Sequence, residues 1–229
     1  MERRNRIFKK LYQRIIQATI IMIKDFPKLE TPFVRKEING QYIVTPEINP
    51  DYNWVFNEVS FATDKIDGTN VCIRIENGKI ANVFNRTTEK FLFNVKSQTR
   101  WEGAAMEGTA KAIQRGWLKD FKDGDYYGEL IGEIFNGNRH QLQGHLFVPF
   151  NYLRGHCFWK SWTQNKYPKT FDIISEWFKE LPSLFNQRLK LPDIKTEGLV
   201  IYNLDGTKMC KLRRDMWNWY VGTRHKEVN

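Results

Sequence analysis

Lys65-Ile66-Asp67-Gly68-Thr69-Asn70 is the stretch around which the chain is read. It lies between two segments with strand character. Trp54 to Thr63 is β-branched and aromatic, and Val71-Cys72-Ile73-Arg74-Ile75 alternates as a strand does. Gly68 lets the chain turn sharply or lets a ligand approach the backbone. Asp64 and Asp67 flank the lysine, so nothing immediately local lowers its pKa. To act as a nucleophile, Lys65 would need cations brought in from elsewhere in the fold, because an ammonium cannot attack before it loses its proton. Read in isolation, a K-x-D-G of this kind is a surface turn in a hairpin, so the case for chemistry depends on matching parts elsewhere.

Working outward, Asn77-Gly78 predicts a hairpin with Ile80 to Phe84 as the returning strand, ending at Asn85-Arg86-Thr87-Thr88. Ser97 is a candidate cap for a helix through Glu102 to Arg115, ended near Gly116. Tyr126 to Glu133 reads as a strand with Glu129 and Glu133 on one face. Asn136-Gly137-Asn138-Arg139-His140 is a polar loop, Leu146 to Phe150 a short aromatic strand, and Thr170 to Leu181 a helix stopped by Pro182. Glu197 to Tyr202 and Lys208 to Arg213 form a second hairpin about Asp205-Gly206. Toward the N-terminus, Asn5 to Lys24 has helical periodicity in Ile7, Leu11 and Ile15. Glu37 to Tyr52, with its prolines, reads as irregular. The aromatic tail from Asp215 is expected to be a docking helix. Hairpins interspersed with helices predict an α+β fold of largely antiparallel sheets flanked by helices.

Composition sets the class of partner. The 229 residues carry a formal charge of +10, 41% hydrophobic and 14% aromatic residues, with a pI near 9.5. That is a folded basic protein suited to a polyanion such as nucleic acid or nucleotide phosphates. Cys72, Cys157 and Cys210 are scattered and odd in number, which excludes a cysteine zinc site or disulfide framework and fits a reducing, cytoplasmic setting. The four histidines have no metal-ligand spacing. The longest apolar run, Ala18 to Ile23, is far shorter than a membrane span, so no membrane partner is expected.

Six polar clusters then follow one another on predicted strands: Lys65-x-Asp67-Gly68, Arg86, Glu129, Phe147-x-x-Phe150, Glu197-Gly198 and Lys211-x-Arg213. In this order they resemble the covalent nucleotidyltransferase superfamily of ATP-dependent polynucleotide ligases and mRNA capping enzymes. Asn70 and Asn85-Arg86-Thr87 are similar to RNA ligases, and the run from Gly128-Glu129 to His145-Leu-Phe-Val-Pro-Phe150 resembles the small phage and bacterial RNA ligase domains. The resemblance covers roughly Trp54 to Arg214. It implies one nucleotidyltransferase (ATP-grasp-like) domain over residues 1–229, with residues 1–50 a basic helix and loop packed on it.

The resemblance also implies roles. Lys65 would attack the α-phosphate of ATP, and the resulting lysyl-adenylate would pass AMP to an RNA 5′-phosphate that a 3′-hydroxyl then seals. Lys211 and Arg213 would neutralise α-phosphate charge and lower the Lys65 pKa. Arg213 stands where the family more often has lysine, which keeps the charge but changes the geometry. Asp67 would orient the site, Asn70 the 5′ end, Glu129 the ribose, and Arg86 a phosphate. Glu197 would hold Mg²⁺ or Mn²⁺, directly or through water. Phe147 is the first choice for stacking on adenine, with Phe150 the alternative. Taken alone, Glu129 and Glu197 are ordinary strand carboxylates and Phe147 a core residue. Lys208 reads as a solvated hairpin residue, although a shifted alignment would give it the role of Lys211.

After the last cluster only Asp215 to Asn229 remain, too few for the oligonucleotide-binding barrel such enzymes commonly add. The barrel is expected to be absent, supplied by a protein partner, or replaced by the basic N-terminal helix. The expected substrate is RNA with 5′-phosphate and 3′-hydroxyl ends, in RNA repair. The rival readings are a capping guanylyltransferase, a minimal DNA ligase, and a non-catalytic RNA- or nucleotide-binding module.

Overall fold

The computed structural model describes residues 26–85, 88–90, 99–118, 122–163, 168–223 and 226–227. The expected N-terminal helix and Arg86 lie outside them. Two antiparallel sheets dominate, confirming the α+β class. The first has three strands in the order β10–β9–β3: β3 (Ser60–Lys65), β9 (Gly198–Asn203) and β10 (Met209–Arg213). The second has five, ordered β6–β5–β4–β7–β8: β4 (Thr69–Glu76), β5 (Lys79–Asn85), β6 (Thr88–Lys90), β7 (Gly124–Gly132) and β8 (His145–Pro149). Chain direction passes from the first sheet to the second through Ile66-Asp67-Gly68 alone, so the quoted stretch is the hinge of the architecture.

Register decides what each face carries. In the three-stranded sheet Ala62, Ile201 and Cys210 lie side by side, as do Asp64, Leu199 and Leu212. Opposed residues in antiparallel strands share a face, so these form the back. That back packs into a core with Trp54, Phe178, Met216 and Trp217. The front carries Thr63–Val200–Lys211 and Lys65–Gly198–Arg213. In the five-stranded sheet Val71, Ile73, Ile75, Leu130 and Phe147 pack against α2 (Arg100–Gln114), while Asn70 and Glu129, paired in register, share the opposite face. A third core of Ile66, Ile131, Val148, Leu153 and Phe185 fills the junction.

Helix α2 begins at Thr99, which caps it in a reciprocal box with Glu102, so the cap falls two residues after the expected Ser97. Three further expectations are corrected. Trp54 to Thr63 is not one strand: α1 (Trp54–Asn57) turns first, and β3 starts at Ser60. The segment expected to be irregular is a hairpin, β1 (Phe33–Ile38) and β2 (Gln41–Ile48). Its turn residues Asn39 and Gly40 have φ of 51° and 77°, the doubly left-handed pair of a tight hairpin turn. The register slips between Phe33 and Arg35 opposite the stretch holding Pro46, so the proline sits at an irregularity and not in a regular ladder. The tail is a single 3-10 turn, Arg214–Met216, that buries Met216 and Trp217. The remaining helices are α3 (Phe150–His156), α4 (Lys160–Thr163), α5 (Phe171–Lys179) and α6 (Leu184–Leu189), followed at the end by a short β11–β12 pair (Gly222–Thr223 and Lys226–Glu227). Among the described residues no helix is long and apolar enough to cross a membrane.

Candidate active site at the junction of the two sheets

The front of the three-stranded sheet and the Asn70–Glu129 edge of the five-stranded sheet enclose a cleft of about 280 Å³. Lys65, Asn70, Glu129 and Lys211 all line it, with Phe150 from α3 and Phe26 at its rim. Residues separated by up to 146 positions in sequence thus meet through strand register. Lys65 is the last residue of β3, and Gly198 stands directly beside it with Arg213 beyond. Gly198 is tightly enclosed: a β-carbon there would come within 3.1 Å of the Arg213 Cα. The glycine therefore keeps the strip between Lys65 and Arg213 bare. Gly68 has a related role, since a β-carbon there would lie 2.7 Å from the Leu130 carbonyl oxygen. It lets the turn press against β7.

Lys65 Nζ contacts Glu197 Oε2 at 2.5 Å, with the two side chains 18% and 3% exposed. Burial pushes the Lys65 ammonium toward the neutral amine, but Glu197, Glu129 and Asp67 together outweigh it and hold the pKa above the ordinary lysine value. This corrects the expectation that Lys211 and Arg213 lower it. Arg213 is turned to Asp215, 3.0 Å away, and is not among the residues lining the cleft.

The second correction concerns the aromatic platform. Phe147 is 0% exposed and belongs to the core beneath the sheet, its ring lying across the bare backbone of Gly128. Phe150 lines the cleft together with Phe26 and Tyr202, and the Phe26 ring packs on it at 4.6 Å between centroids. Pro149 ends β8 and Phe150 opens α3, so the ring three positions on emerges on the other side.

Behind Lys65 lies a polar network that the sequence did not reveal. Asp64 is 1% exposed. Its Oδ2 accepts from the Ser183 hydroxyl and the Phe185 N–H, both at 2.8 Å. Thr196 Oγ1 lies 2.5 Å from Asp64 Oδ1 and 2.7 Å from the Gly198 carbonyl, two acceptors for one hydroxyl proton. A proton on Asp64 Oδ1 satisfies all three atoms. Burial, opposed by these hydrogen bonds, raises the Asp64 pKa in the same sense. Asp67 is also buried, and Asn136 Nδ2 donates to its Oδ1 at 2.7 Å and to the Gly68 carbonyl at 3.0 Å. Asp67 thus supports the turn and does not face the cleft.

Glu197 is the residue suited to a divalent cation. Its Oε1 is buried without a hydrogen-bond partner among the described residues, and a hard carboxylate oxygen fits such an ion. Among the described residues no three His, Cys, Asp or Glu side chains converge as a complete metal cage. The donor set fits an ion that takes its remaining ligands from water and phosphate. Lys208 is exposed and 3.9 Å from Glu58, a solvated position as read from the sequence.

No family profile and no curated protein matches the chain. Solved structures that are similar to it include a Naegleria gruberi RNA ligase with pyrophosphate, at 19% identity and TM-score 0.47, covering 83% of this chain and 58% of that one. A variant of that ligase with ATP and manganese has 18% identity and TM-score 0.45, with coverage of 83% and 58%. A variant with AMP and manganese has 18% identity and TM-score 0.44, again at 83% and 58%. The chain therefore spans about three fifths of the length of the ligases it is similar to.

Proposed function

We propose that the chain is the adenylyltransferase domain of an ATP-dependent RNA ligase. The observation that carries this reading is the convergence, in one cleft, of Lys65 with Asn70, Glu129 and Lys211, with Glu197 on the lysine itself. A binding module needs no buried lysine at the floor of its pocket. Covalent nucleotidyl transfer needs one.

In the first step Lys65 Nζ attacks the α-phosphorus of ATP. The phosphorus–oxygen bond to pyrophosphate breaks, a phosphoramidate forms, and the amine proton is released. An RNA 5′-phosphate then takes the AMP from Lys65, and a 3′-hydroxyl displaces AMP to close the phosphodiester. Lys211, on the same sheet face as Lys65, supplies positive charge for the α-phosphate. Phe150 offers a face to the base and Glu129 an acceptor to the ribose. The starting state is an ammonium held by Glu197, so whatever draws that carboxylate away returns control to burial, which favours the free amine. A divalent cation, when bound, supplies charge neutralisation at the phosphates, and Glu197 is the residue that would hold it.

The test is incubation of the full chain with Mg²⁺ or Mn²⁺ and α-labelled ATP or GTP, followed by denaturation, with Lys65→Ala alongside. Label from ATP that survives denaturation and is absent in the variant supports the reading. A chase with 5′-phosphorylated RNA then tests joining, and one with nicked DNA tests the DNA alternative. Label from GTP would move the chain to capping chemistry. Binding of nucleotide without label, in protein not already adenylated by mass, would leave a binding module.

A further inference from the structure

We infer that His140 and Asn186 are positioning residues that fix the Lys65 nucleophile by clamping the turn behind it. The inference rests on the adenylyl-transfer reading and extends it to residues outside the cleft. His140 is 3% exposed and Asn186 0%. His140 Nε2 accepts a hydrogen bond from the Asp67 backbone N–H at 3.1 Å. Its Nδ1 lies 2.7 Å from Asn186 Oδ1. Asn186 Nδ2 in turn donates to the Pro192 carbonyl at 2.8 Å, which orients the amide with its oxygen toward the imidazole. One neutral tautomer, with the proton on Nδ1, satisfies both contacts. A second proton on Nε2 would point at the Asp67 N–H. Burial accordingly holds the His140 pKa below its ordinary value, with Arg139 acting the same way and Asn186, Asp67 and Glu197 opposing.

The geometry is that of a clamp. Ile66, Asp67 and Gly68 are the whole of the short connection from β3 to β4, and Lys65 is the last residue of β3 before it. His140 holds the Asp67 N–H, while Asn136, from the same loop, holds the Asp67 carboxylate and the Gly68 carbonyl. The loop is itself braced, since Asn138 exchanges hydrogen bonds with both backbone groups of Leu142. Asn186 ties the clamp to the network on the other flank of the lysine. Its backbone N–H donates to Ser183 Oγ, and that hydroxyl donates to Asp64. Asp64 and Asp67, on either side of Lys65, are thereby anchored to one buried frame that continues through Thr196 to Glu197. Displacing a reacting group by about 1 Å costs about 10²-fold in rate, so a frame of this kind acts on the chemical step and not on nucleotide affinity.

The experiment measures lysyl-adenylate formation in single turnover, as a function of ATP concentration, for wild type, His140→Leu, His140→Gln and Asn136→Ala. Unfolding temperatures and an imidazole ¹⁵N spectrum are recorded for each. Gln keeps an acceptor near the Nε2 position; Leu does not. The expected result is a loss of about 10²-fold at saturating ATP for His140→Leu, with unchanged half-saturation and substantial recovery in His140→Gln. Asn136→Ala, at a half-buried loop position, is expected to lose rate in the same way. It carries the test if His140→Leu does not fold. The wild-type spectrum is expected to show His140 protonated on Nδ1 alone. An active wild type with a fully active His140→Leu or Asn136→Ala variant, or a change confined to half-saturation, overturns the positioning role. A wild type that forms no adenylate overturns the ligase reading instead, and with it any role in that reaction, while the spectrum still reports whether the clamp exists.

Discussion

Two buried carboxylates near Lys65 in the fold of the β3–β9–β10 sheet, Asp64 and Glu197, are held differently. On the back, Asp64 is surrounded by donors and each of its oxygens is engaged. Glu197, immediately before β9, spends one oxygen on Lys65 and leaves the other buried without a partner among the described residues. Burying an unsatisfied polar atom costs about 1–3 kcal/mol, a cost that a divalent cation on Glu197 would remove. The same contrast separates Phe147 from Phe150, three residues apart. One is core, and the other is a wall of the cleft.

Substitutions can break this contrast. The largest effect is expected from Phe147→Ala, about 3–5 kcal/mol of stability lost in denaturant unfolding, because its ring has no exposed surface to give up. Asp64→Ala follows, at about 2 kcal/mol, since the Ser183 hydroxyl and the Phe185 N–H lose their acceptor at about 1 kcal/mol each. Asp64→Asn is the sharper comparison. With a raised folded pKa, Asp64 contributes stability that is complete below its unfolded pKa and is lost as pH rises through the folded value. Asn mimics the protonated acid, so the difference between wild type and Asp64→Asn is expected to move in the variant's favour as pH rises across that window. A pH-independent difference would mean Asp64 is ionised throughout.

Phe150→Ala is expected to leave the unfolding midpoint nearly unchanged and to weaken ATP binding by about tenfold, within the roughly 1–3 kcal/mol of base–aromatic stacking. Equal loss of stability in Phe147→Ala and Phe150→Ala would erase the distinction between them. The smallest effect concerns Glu197→Gln. Removing that charge is expected to lower the Lys65 pKa, because Glu197 is the leading charge that raises it, read as faster acylation of Lys65 by an amine reagent at fixed pH.

Much of the scaffold was legible because local chemistry and tertiary structure agree. Asn77-Gly78 turns with φ of 52° and 68° as its sequence demands, and the strands around Asp205-Gly206 fall within a residue of their expected bounds. The equivalent signal at Asn39-Gly40 was outweighed by Pro46, which the strand accommodates by slipping register. The tail resisted reading because its aromatics are spent on core packing, not on a helical face: Trp217 is 1% exposed beside Phe33, Phe171 and Phe178. In the candidate site, Lys65, Asn70, Glu129 and Lys211 were named from the resemblance of their motifs, and strand register brings them to one cleft. Phe147 was misassigned because the strand stops at Pro149, so spacing alone did not say which ring turns outward. Asn136, His140 and Asn186 carried no signal of their own. Their role arises from hydrogen bonds across 46 to 73 positions of sequence, which no local pattern encodes.

The central claim is that Lys65 is a nucleophile and not merely half of a buried ion pair. The direct measurement is peptide mapping by mass spectrometry after incubation with ATP and a divalent cation. The account predicts one AMP on the peptide containing Lys65, removed when 5′-phosphorylated RNA is added. Unmodified Lys65 in folded, nucleotide-bound protein, or AMP carried on a different residue, would contradict it.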